Sequence, residues 1–356
     1  MALPAAQKKK NLSPFAAAPV LVPVAIAVVG AYAIGSFYGV GGGSQPTRAI
    51  LADVTARAGM AGASVVFADA GGVREISIAT GERFSIALAP ALAPASRAGA
   101  AARRVSSPAV SPDGRTLVYL EEPRPLESAV MSLDLASSGA APREIFRAAA
   151  VGPVAFARDG STVAFAARDG APGTPGALVV VESGRPARKL APGRAEVGAD
   201  SATAPSFSPD GSVIAFTGHE GTAEFVDRAT GETTARFRGL DPVFLGEGAL
   251  GFEIDGLRFR ATWPVGIDPK TRDVTDREFE HAFSRERRRG PLSYSPSGDV
   301  AAFVRSTGRR HTFPPGPAAQ EILELCLIDV PSARVLVLVP DFGPEGAVSL
   351  STRSDL

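Results

Sequence analysis

The chain has 356 residues with 37 basic and 37 acidic side chains, so it lacks the electrostatic footprint of a nucleic-acid binder. A single cysteine, Cys326, rules out an internal disulfide and leaves the fold to its own apolar core. Lysine is confined to Lys8, Lys9, Lys10, Lys189 and Lys270, and Asn11 is the only asparagine; with the abundant Ala, Gly, Pro and Arg this reads as GC-rich bacterial codon usage.

Residues 1–13 are a polar, basic tail centred on Lys8-Lys9-Lys10. Residues 14–40 form the predicted membrane anchor. From Phe15 to Val40 there are 26 positions without a charge. As helix that run would be about 39 Å long, against about 30 Å of hydrocarbon. Pro19 and Pro23 restrict the regular helix to its later part, with Pro23, Ile26, Val29, Gly30, Ile34, Phe37 and Val40 as the spanning residues. The lysines stay on the cytoplasmic side, which sends the rest of the chain to the periplasm. Ala31-Tyr32-Ala33 has the small-x-small form of a cleavage site, so a cleaved signal peptide and a secreted product is the alternative.

Residues 41–62 are a linker. Its first part is glycine-rich, and Arg48 to Met60 can form one short amphipathic helix through Ile50, Leu51, Val54 and Ala58. A tether of this length keeps the following domain near the membrane.

A repeat organises residues 63–356. Ser111-Pro112-Asp113-Gly114 leads into Leu117-Val118-Tyr119, and Ala157-Arg158-Asp159-Gly160 into Val163-Ala164-Phe165. The clearest copy is Phe207-Ser208-Pro209-Asp210-Gly211, which leads into Ile214-Ala215-Phe216. A worn copy, Leu245-Gly246-Glu247-Gly248, precedes Phe252; Ser295-Pro296-Ser297-Gly298 precedes Phe303. Pro presets the turn's second position, Asp bonds its own backbone two residues on, and Gly accepts φ > 0. The flanks alternate apolar with small or polar residues, the period of a half-buried strand. Phe67, Tyr119, Phe165, Phe216, Phe252 and Phe303 close the second strands at intervals of 52, 46, 51, 36 and 51 residues. Those intervals are close to the length of a four-stranded propeller blade, and a second strand pair follows each hairpin, as at Ala79-Thr80-Gly81-Glu82 and Ala229-Thr230-Gly231-Glu232. The prediction is an all-β, six-bladed β-propeller preceded by one transmembrane helix.

Phe-Ser-Pro-Asp-Gly followed by an Ile-Ala-Phe-like triplet resembles the repeat of the TolB-type, WD40-like propellers of the bacterial envelope. The resemblance covers roughly residues 63–356 and implies a fold, not an activity. It extends to the propeller part of that family only, so TolB's particular partner is not implied.

Blade one has no first strand ahead of Ser64-Val65-Val66-Phe67, and Glu345 to Ser351 has the pattern of the missing one. The C-terminal strand is therefore expected to complete blade one and close the ring. The other blades are expected near 105–148, 150–193, 203–239, 240–289 and 290–340. Residues 89–104 read as a connector, 167–177 as a loop and 305–320 as an insertion. Asp268 to Asp276 reads as irregular and Glu278 to Arg288 as helical, both decorating the propeller's faces.

Candidate chemistry is sparse. His219, His281 and His311 have no metal-ligand spacing, and no Gly-x-Ser-x-Gly elbow is present. Asp113, Asp159 and Asp210 read as turn residues and not as a metal ring. Cys326, within an apolar strand, reads as buried and inert. No catalytic residue, cofactor or metal site is assigned. Arg285, Arg287, Arg288 and Arg289 read as a solvated face or as a contact for anionic lipid or an acidic partner. Trp263 reads as core, with a partner contact as the alternative.

The expected function is a non-catalytic, membrane-anchored periplasmic propeller that binds other subunits of an inner-membrane complex through its anchor and loops. The rival is an exported enzyme, or a ligand- or metal-binding protein, that uses the central channel.

Overall fold

The computed structural model describes Ala56 and residues 63–69, 72–86, 104–124, 126–137, 139–197, 204–246, 248–282, 288–295, 298–310, 321–330, 334–342 and 348–352. The basic tail, the anchor at 14–40 and the amphipathic linker segment lie outside these residues, apart from Ala56, which is helical. No helix among the described residues is long and apolar enough to cross a membrane.

In chain order the strands are β1 (Ala63–Asp69), β2 (Gly72–Ser77) and β3 (Arg83–Ser85), then β4 (Arg104–Val110), β5 (Thr116–Arg124), β6 (Glu127–Asp134) and β7 (Arg143–Ala148). Next come β8 (Ala150–Val151), β9 (Ala155–Phe156), β10 (Thr162–Arg168), β11 (Ala177–Glu182) and β12 (Arg188–Lys189). β13 (Ser206–Phe207), β14 (Val213–Gly218), β15 (Thr222–Asp227) and β16 (Thr233–Arg238) form a fourth group. β17 (Leu240–Leu245), β18 (Ala249–Ile254), β19 (Leu257–Thr262) and β20 (Arg277–Ala282) form a fifth. The chain finishes with β21 (Arg288–Tyr294), β22 (Val300–Arg310), β23 (Glu321–Asp329), β24 (Arg334–Phe342) and β25 (Val348–Thr352).

These strands make six antiparallel sheets, the blades of a propeller. Blades two to six are consecutive meanders. Blade one has the order β25-β1-β2-β3, with Ala63 opposite Thr352 and Phe67 opposite Val348. The predicted closure by the C-terminal strand is therefore present.

Both faces of each blade are covered by its neighbours, which is why the strands read as nearly continuous apolar runs. Most seams are apolar. Val66 and Val73 of blade one pack with Leu117 and Tyr119 of blade two, and Val118 and Val130 with Phe165 and Val179 of blade three. Leu178 and Val180 meet Ile214 and Phe216, and Phe225 and Phe237 meet Leu250 and Phe252. The ring closes where Val304 and Leu325 of blade six meet Val65 and Ile76 of blade one. The seam between blades five and six differs: the buried apolar cluster there, with Phe303, Cys326 and Ile328, is drawn from blade six alone.

The two ends of the propeller are unlike. Turns joining first to second and third to fourth strands lie at one end, here the turn end. Second-to-third turns and all blade-to-blade connections lie at the other, the crossover end.

Three expectations need correction. The segment read as helical from Glu278 to Arg288 contains β20, which pairs with β19 through Leu257↔Ala282 and Ala261↔Arg277, and it ends where β21 begins. Its charged composition favours helix, but an outermost strand can expose one face, and pairing with β19 overrides the local preference. The insertion read from 305 is strand as far as Arg310, because β22 extends opposite β23 to the pair Arg310↔Glu321; 311–320 lies outside the described residues. Finally, Asp268 to Asp276 is irregular as expected, but this connection packs into the seam between blades four and five: Val274 is buried, and Trp263, Val265 and Ile267 just before it lie against the same apolar cluster.

Candidate functional site

The repeated aspartates are held by their own turns. Asp113 accepts hydrogen bonds from Ser111 Oγ at 2.5 Å and the Arg115 amide at 3.1 Å. Asp210 accepts from Ser208 Oγ at 2.6 Å, Ser212 Oγ at 2.7 Å and the Ser212 amide at 3.1 Å. Those bonds, Ser208 first, hold the Asp210 carboxyl down at about 2. Asp159 is pushed up by burial, but the Ser161 amide and hydroxyl prevail and its pKa is lowered. Ser208 Oγ also accepts from the Val213 amide at 2.9 Å, and Ser111 Oγ does the same for Thr116. Serine and aspartate thus close the turns at Ser111 and Ser208 together, whereas Ala157 stands at the serine's place in the Asp159 turn. Gly211 and Gly160 have φ of 71° and 68°, the left-handed conformation that such a turn requires.

His219 is exposed in the β14–β15 turn, and His281 lies on β20 opposite Arg258; His311 is outside the described residues. Among the described residues, no group of three or more His, Cys, Asp or Glu is placed to hold a metal. Cys326 is fully buried, and burial pushes its thiol up to about 12, which leaves it unreactive at neutral pH.

The remaining candidate residues are separated. Arg288 and Arg289 open β21, opposite Arg305 and Val304, at the crossover end; Arg285 and Arg287 lie outside the described residues. Trp263 leaves β19 at the turn end, where its amide donates to the Gly248 carbonyl at 2.8 Å. Its ring stacks on Phe225 at 4.7 Å and meets Phe244 edge-on at 5.1 Å. It is half-buried and packed as core.

Two buried charge clusters were missed in the sequence. In blade four, Glu224 is 1% exposed and is clamped by Arg194 and by Arg236 Nε at 3.3 Å. Gly218 lies so close to it that an added Cβ would fall 2.8 Å from the Glu224 side chain. In blade five, facing blade six, Arg258 is 1% exposed. Its Nη1 donates to the Asp241 carbonyl at 3.0 Å, its Nε lies 3.7 Å from Glu280 Oε2, and its guanidinium covers the Tyr294 ring. Gly251 makes the room, since a Cβ there would lie 2.2 Å from Nη2. Burial raises the pKa of Glu280 against the pull of Arg258 and Arg260, and Asp299 adds to the rise. The sequence signal is faint: a glycine inside a strand, opposite alternating arginines.

No protein-family profile matches the chain, and no curated protein sequence matches it. Solved structures do. TolB from Acinetobacter baumannii is 15% identical with a TM-score of 0.54, over 81% of this chain and 66% of that one. This chain therefore spans just under two thirds of that TolB. The structure of a nidogen/laminin complex matches at 12% identity and a TM-score of 0.53, over 83% of this chain and 100% of that one. The Cps50 (Swd1) β-propeller domain from Myceliophteria thermophila gives 16% and 0.48, over 83% and 88%. At such identities the likeness is one of fold alone, a β-propeller like that of TolB.

Proposed function

We propose that this TolB-like propeller is a non-catalytic, protein-binding accessory or scaffold subunit, held at the periplasmic face of a bacterial inner membrane by residues 14–40. The observation that carries the reading is the difference between the ends of the ring. At the turn end, three of the first-to-second turns are closed by their own serines, Ser111, Ser208 and Ser295. The crossover end gathers the blade-to-blade connections and the arginine-bearing ends of β21 and β22. Loops on a rigid scaffold carry binding disproportionately, and the crossover end gathers most of them. The anchor's Gly30, Ala31 and Gly35 allow close packing beside other transmembrane helices.

The experiment is fractionation of cells that produce the full chain. After an alkaline carbonate wash the protein should stay with the membrane. Mild detergent should release it in a complex of fixed stoichiometry larger than the chain alone. A protein that washes off, or that elutes as a free monomer, overturns the reading.

A further inference from the structure

The outer rim of blade five carries an apolar strip that the chain leaves uncovered. Side chains alternate along β19: Arg258 points to blade six, so Leu257, Phe259 and Ala261 point to blade four. On β20, Phe279 stands opposite Phe259 and meets it edge-on at 6.1 Å, which puts it on the same face. The inner part of this face is sealed, because Phe259 lies against the buried cluster of Phe237 and Phe252. The outer part is open: Phe279 is 57% exposed and Leu257 39%. Phe84 and Leu126 are the other exposed large apolar side chains among the described residues, and they stand apart in blades one and two. Apolar side chains exposed together on two paired strands mark a contact surface, where one exposed alone does not.

The strip carries one unanswered charge. Arg277, opposite Ala261 and on the same face, is exposed. Its guanidinium carbon lies 4.8 Å from the centre of the Phe259 ring, and no carboxylate among the described residues pairs with it. The neighbouring charges are balanced: Arg238 and Asp255 pair at 2.8 Å at the crossover border, and on the blade's other face Arg260 stands opposite Glu278. A guanidinium over a ring keeps its N–H groups for a carboxylate, which can accept two of them at once. A second copy of the strip is a poor occupant, since face to face it would bring two Arg277 cations together with no carboxylate between them. We propose that this strip docks a partner protein whose contacting segment sets a large apolar side chain between Leu257 and Phe279 and a carboxylate against Arg277. The surface lies on the rim, apart from both ends of the ring, and does not depend on how the chain is held at a membrane.

The test uses the full chain and a fluorescent hexapeptide probe in which Leu-Phe is flanked on each side by two glutamates. A companion peptide carries glutamine in place of each glutamate. Phe279→Ser should weaken binding of the probe by roughly fivefold to thirtyfold, read by fluorescence anisotropy. Leu257→Ser should weaken it in the same direction and decides the matter if Phe279→Ser lowers the urea unfolding midpoint. Arg277→Gln should weaken the glutamate probe by about threefold and leave the glutamine companion unchanged. Phe84→Ser removes a similarly exposed ring from blade one and should leave both peptides unchanged. A probe that does not bind, or that binds Phe279→Ser and Leu257→Ser as it binds the unaltered chain, overturns the docking strip. Equal weakening by Phe84→Ser shows adhesion to any exposed ring and overturns it too. Equal weakening of both peptides by Arg277→Gln overturns the carboxylate contact. Self-association of the chain that Phe279→Ser abolishes shows a second copy in the strip and overturns the proposal.

Discussion

The guanidinium carbon of Arg258, in blade five, lies 4.7 Å from the centre of the Tyr294 ring in blade six. It lies in the same seam as the fully buried Leu245 of blade five, which packs against Gly298 of blade six. An arginine so deeply buried needs an answer for its charge, and Glu280, the Asp241 carbonyl and the ring's negative face supply it. The five–six seam thus encloses a cation between blades beside this apolar contact.

Truncating that cation leaves Glu280 in a buried place without its main counter-charge. Arg258→Ala should lower stability by about 3–5 kcal/mol, the range for breaking a buried pair from one side. Arg258→Met with Glu280→Gln removes both charges at similar volume and should recover a large part of the loss. Urea unfolding of the two variants checks this; equal destabilisation by both would show that the charge pair is not what holds the seam.

Glu280 also gives the seam a pH dependence of known sign. Its folded pKa is raised above the ordinary 4.5, chiefly by burial. The folded state therefore binds the proton more tightly than the unfolded chain does. The stability linked to that proton is fully present below 4.5 and is lost as pH rises through the higher folded value. Glu280→Gln should abolish this downward slope, as read from unfolding midpoints collected from weakly acidic to neutral pH.

The turn aspartates act in the opposite direction. Asp210 is held at about 2 against an ordinary 3.8, so its contribution is present above 3.8 and lost as pH falls towards 2. Ser208→Ala removes the first-named cause, and with it the acceptor for the Val213 amide. The Asp210 carboxyl should then titrate at higher pH by carbon-detected NMR. The stability loss should be about 1 kcal/mol, because the carboxylate is solvent-screened while the hydroxyl is part-buried.

What was legible in the sequence follows from which interactions are local. Ser208, Asp210 and Gly211 form their turn from within six residues, so the repeat and the blade count could be read directly. The strand at 348–352 could be placed because blade one lacked a partner that only it could supply. Arg258 could not be read. In Leu257-Arg258-Phe259-Arg260 the alternation suggests outward arginines, yet in a propeller the second face of a blade is buried against its neighbour. Leu257 is 39% exposed instead, and Phe279, opposite Phe259, is 57% exposed. The strand at 277–282 was hidden for a related reason: its pairing partner, not its own composition, decides its conformation.

Closure of the ring rests on five residues at the far end of the chain. β25 bonds β1 from Ala63↔Thr352 to Phe67↔Val348 and packs beside β21, β22 and β4. Without it the inner edge of β1 presents unpaired amides and carbonyls beside buried Val65, Val66 and Phe67, which is a template for pairing with other chains. Losing the strand also opens the seams on both sides of blade one, so the effect should be global. A chain truncated after Glu345 should unfold at much lower urea concentration or associate through the open edge. Circular dichroism during unfolding, together with light scattering, distinguishes these outcomes. A truncated protein that stays monomeric and melts like the intact chain would show that the ring holds without its closing strand.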